Sequence, residues 1–146
     1  MKKMLWAFAF GFMMFLTACF DQAPSVVAGR DWNPGAQLVA DTTSQFHLDE
    51  PMVIQFNYGK NFDFSSLKTV FYQGTTADKG KEIWSREVPV THKLNSYTLQ
   101  GKSKKGGLMS ARELTRFKTA GSVVVEFVAD GKVIVSKDIT LTLPGK

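Results

Sequence analysis

The chain has 146 residues, a formal net charge of +5, 44% hydrophobic residues and a single cysteine. That length suits one domain with one core rather than two. One cysteine excludes an intrachain disulfide framework and a cysteine-rich zinc site.

The averages mix two kinds of segment. Four of the six methionines (Met1, Met4, Met13, Met14) lie in the first 19 positions, with Trp6, Phe8, Phe10, Phe12 and Phe15. Lys2 and Lys3 precede residues 4–16, a run of 13 residues without a charge. A bilayer-spanning helix needs about 20 apolar residues, so the run is too short for one and suits the apolar region of an export signal. It ends in Leu16-Thr17-Ala18-Cys19. Taken with the positive start and the apolar run, this quartet resembles the lipobox of bacterial lipoprotein signal peptides. The resemblance implies lipid transfer to the Cys19 sulfur, cleavage after Ala18 and acylation of the new amino terminus, palmitate being a typical chain. Residues 1–18 are then a cleaved signal peptide. Phe20 stands where lipoproteins retained in the inner membrane carry Asp, with Asp21 one position later. This favours an outer-membrane lipoprotein facing the periplasm in a two-membrane organism, and otherwise the outer face of the cytoplasmic membrane. Removing residues 1–18 takes away two lysines, so the mature charge is +3.

Residues 19–37 read as the lipidated cysteine and a flexible tether, because Pro24, Ser25, Gly29, Asn33, Pro34 and Gly35 break any regular pattern. A tether of that length spans about 20 Å on average. Trp32 either docks on the domain or rests at headgroup level. Residues 38–146 read as one β domain. Met52, Ile54, Phe56 and Tyr58 alternate as in a half-buried strand that begins after Pro51. Residues 67–73 are apolar on both faces and predict a central strand. Residues 82–90 contain Pro89, which predicts an edge strand. Residues 95–100 predict a further short strand.

Ser110-Ala111-Arg112-Glu113 is a capping box and predicts a helix over about 110–118, with Gly121 as its stop. The last hairpin carries Val123, Val125 and Phe127 on one parity, and Val133, Val135, Ile139, Leu141 and Leu143 on the same parity after the turn. A three-residue loop at 129–131 keeps these sets on one face. The fold class is therefore all-β, an antiparallel sandwich with one short helix. Strand order and the helical turn before the penultimate strand resemble immunoglobulin-like domains.

Signs of chemistry are few. His47, Asp49 and Glu50 form a polar cluster beside a strand end, either a turn or the edge of a pocket for a ligand carrier or envelope enzyme. His92 stands alone between Thr91 and Lys93. No catalytic residues and no metal ligands are assigned, and no cofactor beyond the covalent lipid on Cys19. The basic residues Lys102, Lys104, Lys105, Arg112, Arg116 and Lys118 cluster around the helix, with Glu113 as the one acidic residue among them. They read either as a docking site for an anionic partner or as a solvated loop. The expected function is that of a non-enzymatic binding or adaptor module on a membrane lipid anchor. Its partner would be an envelope protein or an anionic envelope polymer, and the export signal argues against nucleic acid.

Overall fold

The computed structural model describes residues 22–144. The expected signal peptide over residues 1–18 and Cys19 lie outside the described residues. Nine strands and one helix follow in chain order: β1 (Ser25–Asn33), β2 (Leu38–Thr42), β3 (Gln45–His47), β4 (Val53–Asn57), β5 (Ser66–Gly74), β6 (Lys79–Pro89), β7 (Ser96–Leu99), α1 (Ala111–Thr115), β8 (Gly121–Ala129) and β9 (Lys132–Thr142). One sheet has the order β2-β1-β4-β7 and the other β3-β9-β8-β5-β6. From β4 the chain crosses to β5 and β6, returns to β7, and crosses again through α1 to β8 and β9. That two-sheet Greek-key path makes the domain an immunoglobulin-like β-sandwich, the class its sequence predicts. All strand pairs are antiparallel except β3 with β9.

The interior is aromatic. Phe56 stacks on Phe127 from the opposite sheet at 4.9 Å between centroids, and on Phe62 at 6.1 Å. Leu48, Met52, Ile54, Leu67, Phe71, Ile139 and Leu141 fill the space around them and are fully buried. Close packing of this kind supplies the main driving force for the fold.

Within the tether expected over residues 19–37, Ser25–Asn33 form β1. β1 pairs with β4 on one side and β2 on the other. The residues that read as a linker are punctuation around a hairpin. Asn33 Oδ1 accepts hydrogen bonds from the Gly35 and Ala36 amides, closing a turn through Pro34. Gly29 is buried between strands, and a Cβ there would meet the Ala40 carbonyl oxygen at 2.4 Å, so glycine permits the close approach. Trp32 is half-buried in β1 opposite Val39, the docked alternative of its two readings.

β5 is interior and β6 is an edge, as predicted. β4 differs from its half-buried reading. Val53 and Gln55, on the face taken for solvent, are 0% and 3% exposed, and Gln55 Nε2 donates to the Gln37 carbonyl oxygen at 3.0 Å. The end of the first hairpin folds over that face, which no local pattern foretells.

The last hairpin also corrects its loop. Ala129 pairs with Lys132, leaving Asp130-Gly131 as a two-residue turn with φ of 52° and 78°. Two positive φ values define a type I′ turn, which matches strand twist. A bulge between Phe127 and Val128 then shifts the register, so Phe127 faces Val135 and Val123 faces Ile139. The predicted inward set holds only beyond the bulge: Ile139 and Leu141 are buried and Val135 is half-buried, whereas Val133, between the bulge and the turn, pairs with Val128 and is exposed, as is Leu143 past the strand end. α1 is shorter than the predicted 110–118. Arg116 adopts φ 61° and its amide donates to the Arg112 carbonyl, so the helix stops five residues before Gly121.

Candidate functional site

The segment from Gly101 to Lys118 is a folded projection. Its base is pinned where the Met109 amide donates to the Gly101 carbonyl and the Met52 amide to the Met109 carbonyl. Its tip turns at Gly106 and Gly107, with φ of 96° and 74°. Ser103 and Gly107 bond across the tip.

The capping box predicted at Ser110 is present. Ser110 Oγ accepts from the Glu113 amide at 3.3 Å, and Glu113 Oε2 accepts from the Ser110 amide at 2.8 Å. Glu113 Oε1 accepts from Ser103 Oγ at 3.0 Å. The Ser110 amide first, then Ser103 and the charge of Lys105, hold the Glu113 carboxyl below the usual glutamate range, although partial burial opposes them. This carboxylate ties the tip to α1.

α1 docks on β6 through Trp84. The indole Nε1 donates to the Leu114 carbonyl oxygen at 3.2 Å, and the Arg116 guanidinium lies 4.4 Å from the centroid of the same ring. The left-handed backbone at Arg116 thus ends the helix and places a cation flat on an aromatic face. Ala111 and Leu114 are buried beneath α1, so its exposed face is the one bearing Arg112.

Five of the six predicted basic residues meet in one cleft of about 590 Å³. Lys102, Lys104, Arg112, Arg116 and Lys118 line it together with Met109 and Glu113. Lys105 points elsewhere. It lines an adjoining hollow of about 490 Å³ with Ser103, Asp49 and Pro51, which shares Arg112 and Glu113 with the cleft. Among the described residues the ion pairs are Arg30 with Asp41 and Glu50, Lys60 with Asp63, and Lys79 with Glu126. None of the six basic residues belongs to them. Five cations therefore face one carboxylate whose oxygens are already bonded. Met109 gives the cleft an apolar floor, and the two arginine forks suit planar oxyanions.

The His47 cluster is put to structural use. The His47 ring nitrogen Nδ1 lies 2.8 Å from Thr142 Oγ1, and the His47 amide donates to Glu50 Oε2 at 2.7 Å. Glu50 Oε1 contacts Arg30 Nε at 3.2 Å, a charge contact rather than an aligned hydrogen bond. Burial raises the Glu50 carboxyl, but the His47 amide and Arg30 together outweigh it and leave the group below its ordinary value. Asp49 alone of the three reaches the adjoining hollow. His92 Nδ1 bonds to the Phe62 carbonyl at 2.7 Å.

Two features of the site escaped the sequence reading. Trp84 was read only as a strand residue, and its stacking on Arg116 joins positions 32 apart in sequence. Met109, directly before the capping box, also lines the cleft. Away from the cleft, Lys79 Nζ reaches Glu126 Oε2 at 2.7 Å and lies 4.4 Å from the Tyr72 ring. Its bond to Glu126 raises the Lys79 ammonium, against the effect of desolvation. No sequence spacing signals a pair so far apart.

No protein-family model and no curated protein matches the chain. Among solved structures it is similar to an immunoglobulin-like protein from Pseudomonas aeruginosa, with 11% identity and a TM-score of 0.48 over 83% of this chain and 98% of that one.

Proposed function

We propose that the protein is a lipid-anchored adaptor of the cell envelope, held by Cys19, that binds an anionic segment of an envelope component in the basic cleft. It acts by binding rather than by catalysis. The observation that carries this reading is the convergence of Lys102, Lys104, Arg112, Arg116 and Lys118 on one concave surface, none of them in an ion pair among the described residues. A solvated loop would scatter its charges, whereas here a capping box and a cation–aromatic contact fix the positions of Arg112 and Arg116. The rest of the reading rests on the lipobox resemblance of residues 16–19.

The test is photo-crosslinking in the native envelope from position Gln100, which borders the cleft. Carboxylate- or phosphate-bearing partners should be captured, with yield falling as salt rises. Replacing Lys102, Lys104 and Arg112 together by Gln should weaken capture roughly tenfold, at about 0.5 kcal/mol per exposed charge contact. An unchanged adduct pattern in that variant would return the cleft to a solvated surface. Whether the adduct is polypeptide or polymer identifies the partner's class.

A further inference from the structure

The two ends of the sandwich differ, and the chain enters at one of them. Ser25 pairs with Asn57, and Asn57 with Ser96. The backbone of Gln22 lies so close to Gly59 that a Cβ there would collide with it. Gln22, Gly59 and the turn before β7 therefore share one end. β6 runs into that turn from Pro89, which pairs with Ser66. Lys68 pairs with Val128, so the Asp130-Gly131 turn stands at the same end of the other sheet. Two of the four large exposed apolar side chains lie here: Leu94 and Val133, each 52% exposed. Lys60, Lys93 and Lys132 are exposed around them. Of the acidic groups at this end, Asp63 is bonded to Tyr58 and Lys60, Glu87 accepts from the Ser66 hydroxyl, and Asp130 sits in the turn itself.

Three Cα-to-Cα steps lead from Cys19 to Gln22, so the Cys19 backbone lies within about 11 Å of this end however the chain runs. The earlier expectation of a 20 Å tether would have left orientation free. A leash this short does not. We infer that the Leu94/Val133 end of the sandwich rests on the membrane that holds Cys19, with both side chains entering the headgroup layer and the lysines facing lipid phosphates. This inference rests on the lipid anchor proposed above.

The cleft is then held clear of its own membrane. Trp84, which supports Arg116, is five residues up β6 from Pro89, about 17 Å of strand. That is about two Debye lengths at physiological salt, so the phosphates of the anchoring leaflet do not reach the cleft's charges. Its ligand comes from the aqueous side. Leu94 and Val133 hold the domain in that pose by apolar transfer, which salt does not screen.

Cys19 is the one cysteine, and its thiol is blocked once lipidated, so a second cysteine is a unique labelling site. Three full-length variants, Leu94→Cys, Val133→Cys and Lys104→Cys, are produced in the lipidated form. Each receives an environment-sensitive fluorophore and is reconstituted in phosphatidylcholine vesicles with and without phosphatidylglycerol. All three positions are exposed, so the fold is unaffected. Quenching by lipids brominated on the acyl chains should be several-fold stronger at positions 94 and 133 than at 104, and should persist at high salt. Equal quenching at all three positions, or stronger quenching at 104, overturns the orientation while leaving the anchor standing. Protein that does not float with the vesicles overturns the anchor and the orientation with it.

Discussion

Single residues decide most of the stability here. Phe127 is fully buried and stacks on Phe56 across the sheet interface. Phe127→Ala should cost about 3–5 kcal/mol, a large share of a domain's margin, and urea unfolding would read it directly. Glu113 makes a different, pH-dependent contribution. Its carboxyl titrates below its unfolded value. The bonds to Ser103 and Ser110 are therefore at full strength above the ordinary glutamate range and are lost as pH falls through the folded value. In a Trp32→Phe background, Trp84 is the sole tryptophan of residues 19–146 and reports on α1. Its emission should shift in that acid window, and Glu113→Gln should flatten the transition. A profile unchanged by the substitution would mean the cap does not hold α1 on β6. At this scale the sequence was informative about local partners. Ser110 and Glu113 stand three apart, and their reciprocal bonding is legible from spacing alone. Arg116 and Trp84 meet only because β6 happens to pass beneath α1, and spacing carries no such information.

Among the elements, the hairpins show where reading by pattern succeeds and where it stops. Alternation placed Phe127, Ile139 and Leu141 inside, because burial enforces parity whatever the turn. It did not reveal the bulge beside Phe127, whose extra residue turns Val133 out to solvent although its spacing matches the inward set. The turn itself is testable. Gly131 has φ 78° with open space around its missing Cβ, so Gly131→Ala is penalised by backbone conformation alone and should cost about 1 kcal/mol. Thermal unfolding of that variant against Gly131→Asn, a residue that tolerates the left-handed region, would separate backbone strain from side-chain loss. The first hairpin was hidden for a different reason. Its glycine, asparagine and proline residues have the composition of a linker, and only the pairing of Val26 with Phe56 and Ala28 with Ile54 tells strand from coil. Such partners lie about thirty residues on, outside any local window.

For the whole molecule, the consequences run through the anchor and the cleft. Cys19→Ser should leave the sandwich folded and remove it from the membrane fraction. Circular dichroism and fractionation check the two halves separately, and persistent attachment would count against a lipid on Cys19. Neutralising the cleft should leave unfolding unchanged, since its cations are exposed and outside the ion pairs of the described residues. A marked loss of stability in the Lys102, Lys104 and Arg112 triple variant would mean that these charges serve the fold instead. The fold class and the basic cluster were legible in advance, because both follow from alternation and charge within short stretches. The end of the sandwich at which the chain enters was not, because it depends on the pairing of β1 with β4, which carries Gln22 against Gly59.

The outer strands also govern how the molecule behaves among its own copies. A sandwich has rims, and each bare rim invites a neighbour to extend the sheet. Here the invitations are withdrawn one by one. β3 caps β9 with three residues, β7 is four residues long, and β2 bends where Asp41 turns left-handed. The longest rim, β6, carries Lys79, Lys81, Glu82, Arg86 and Glu87 and ends at a proline, while two irregularities twist its pairing with β5. A second copy approaching β6 would have to strip water from alternating charges and match a warped edge. The rims of the described residues thus disfavour sheet extension from one copy to the next.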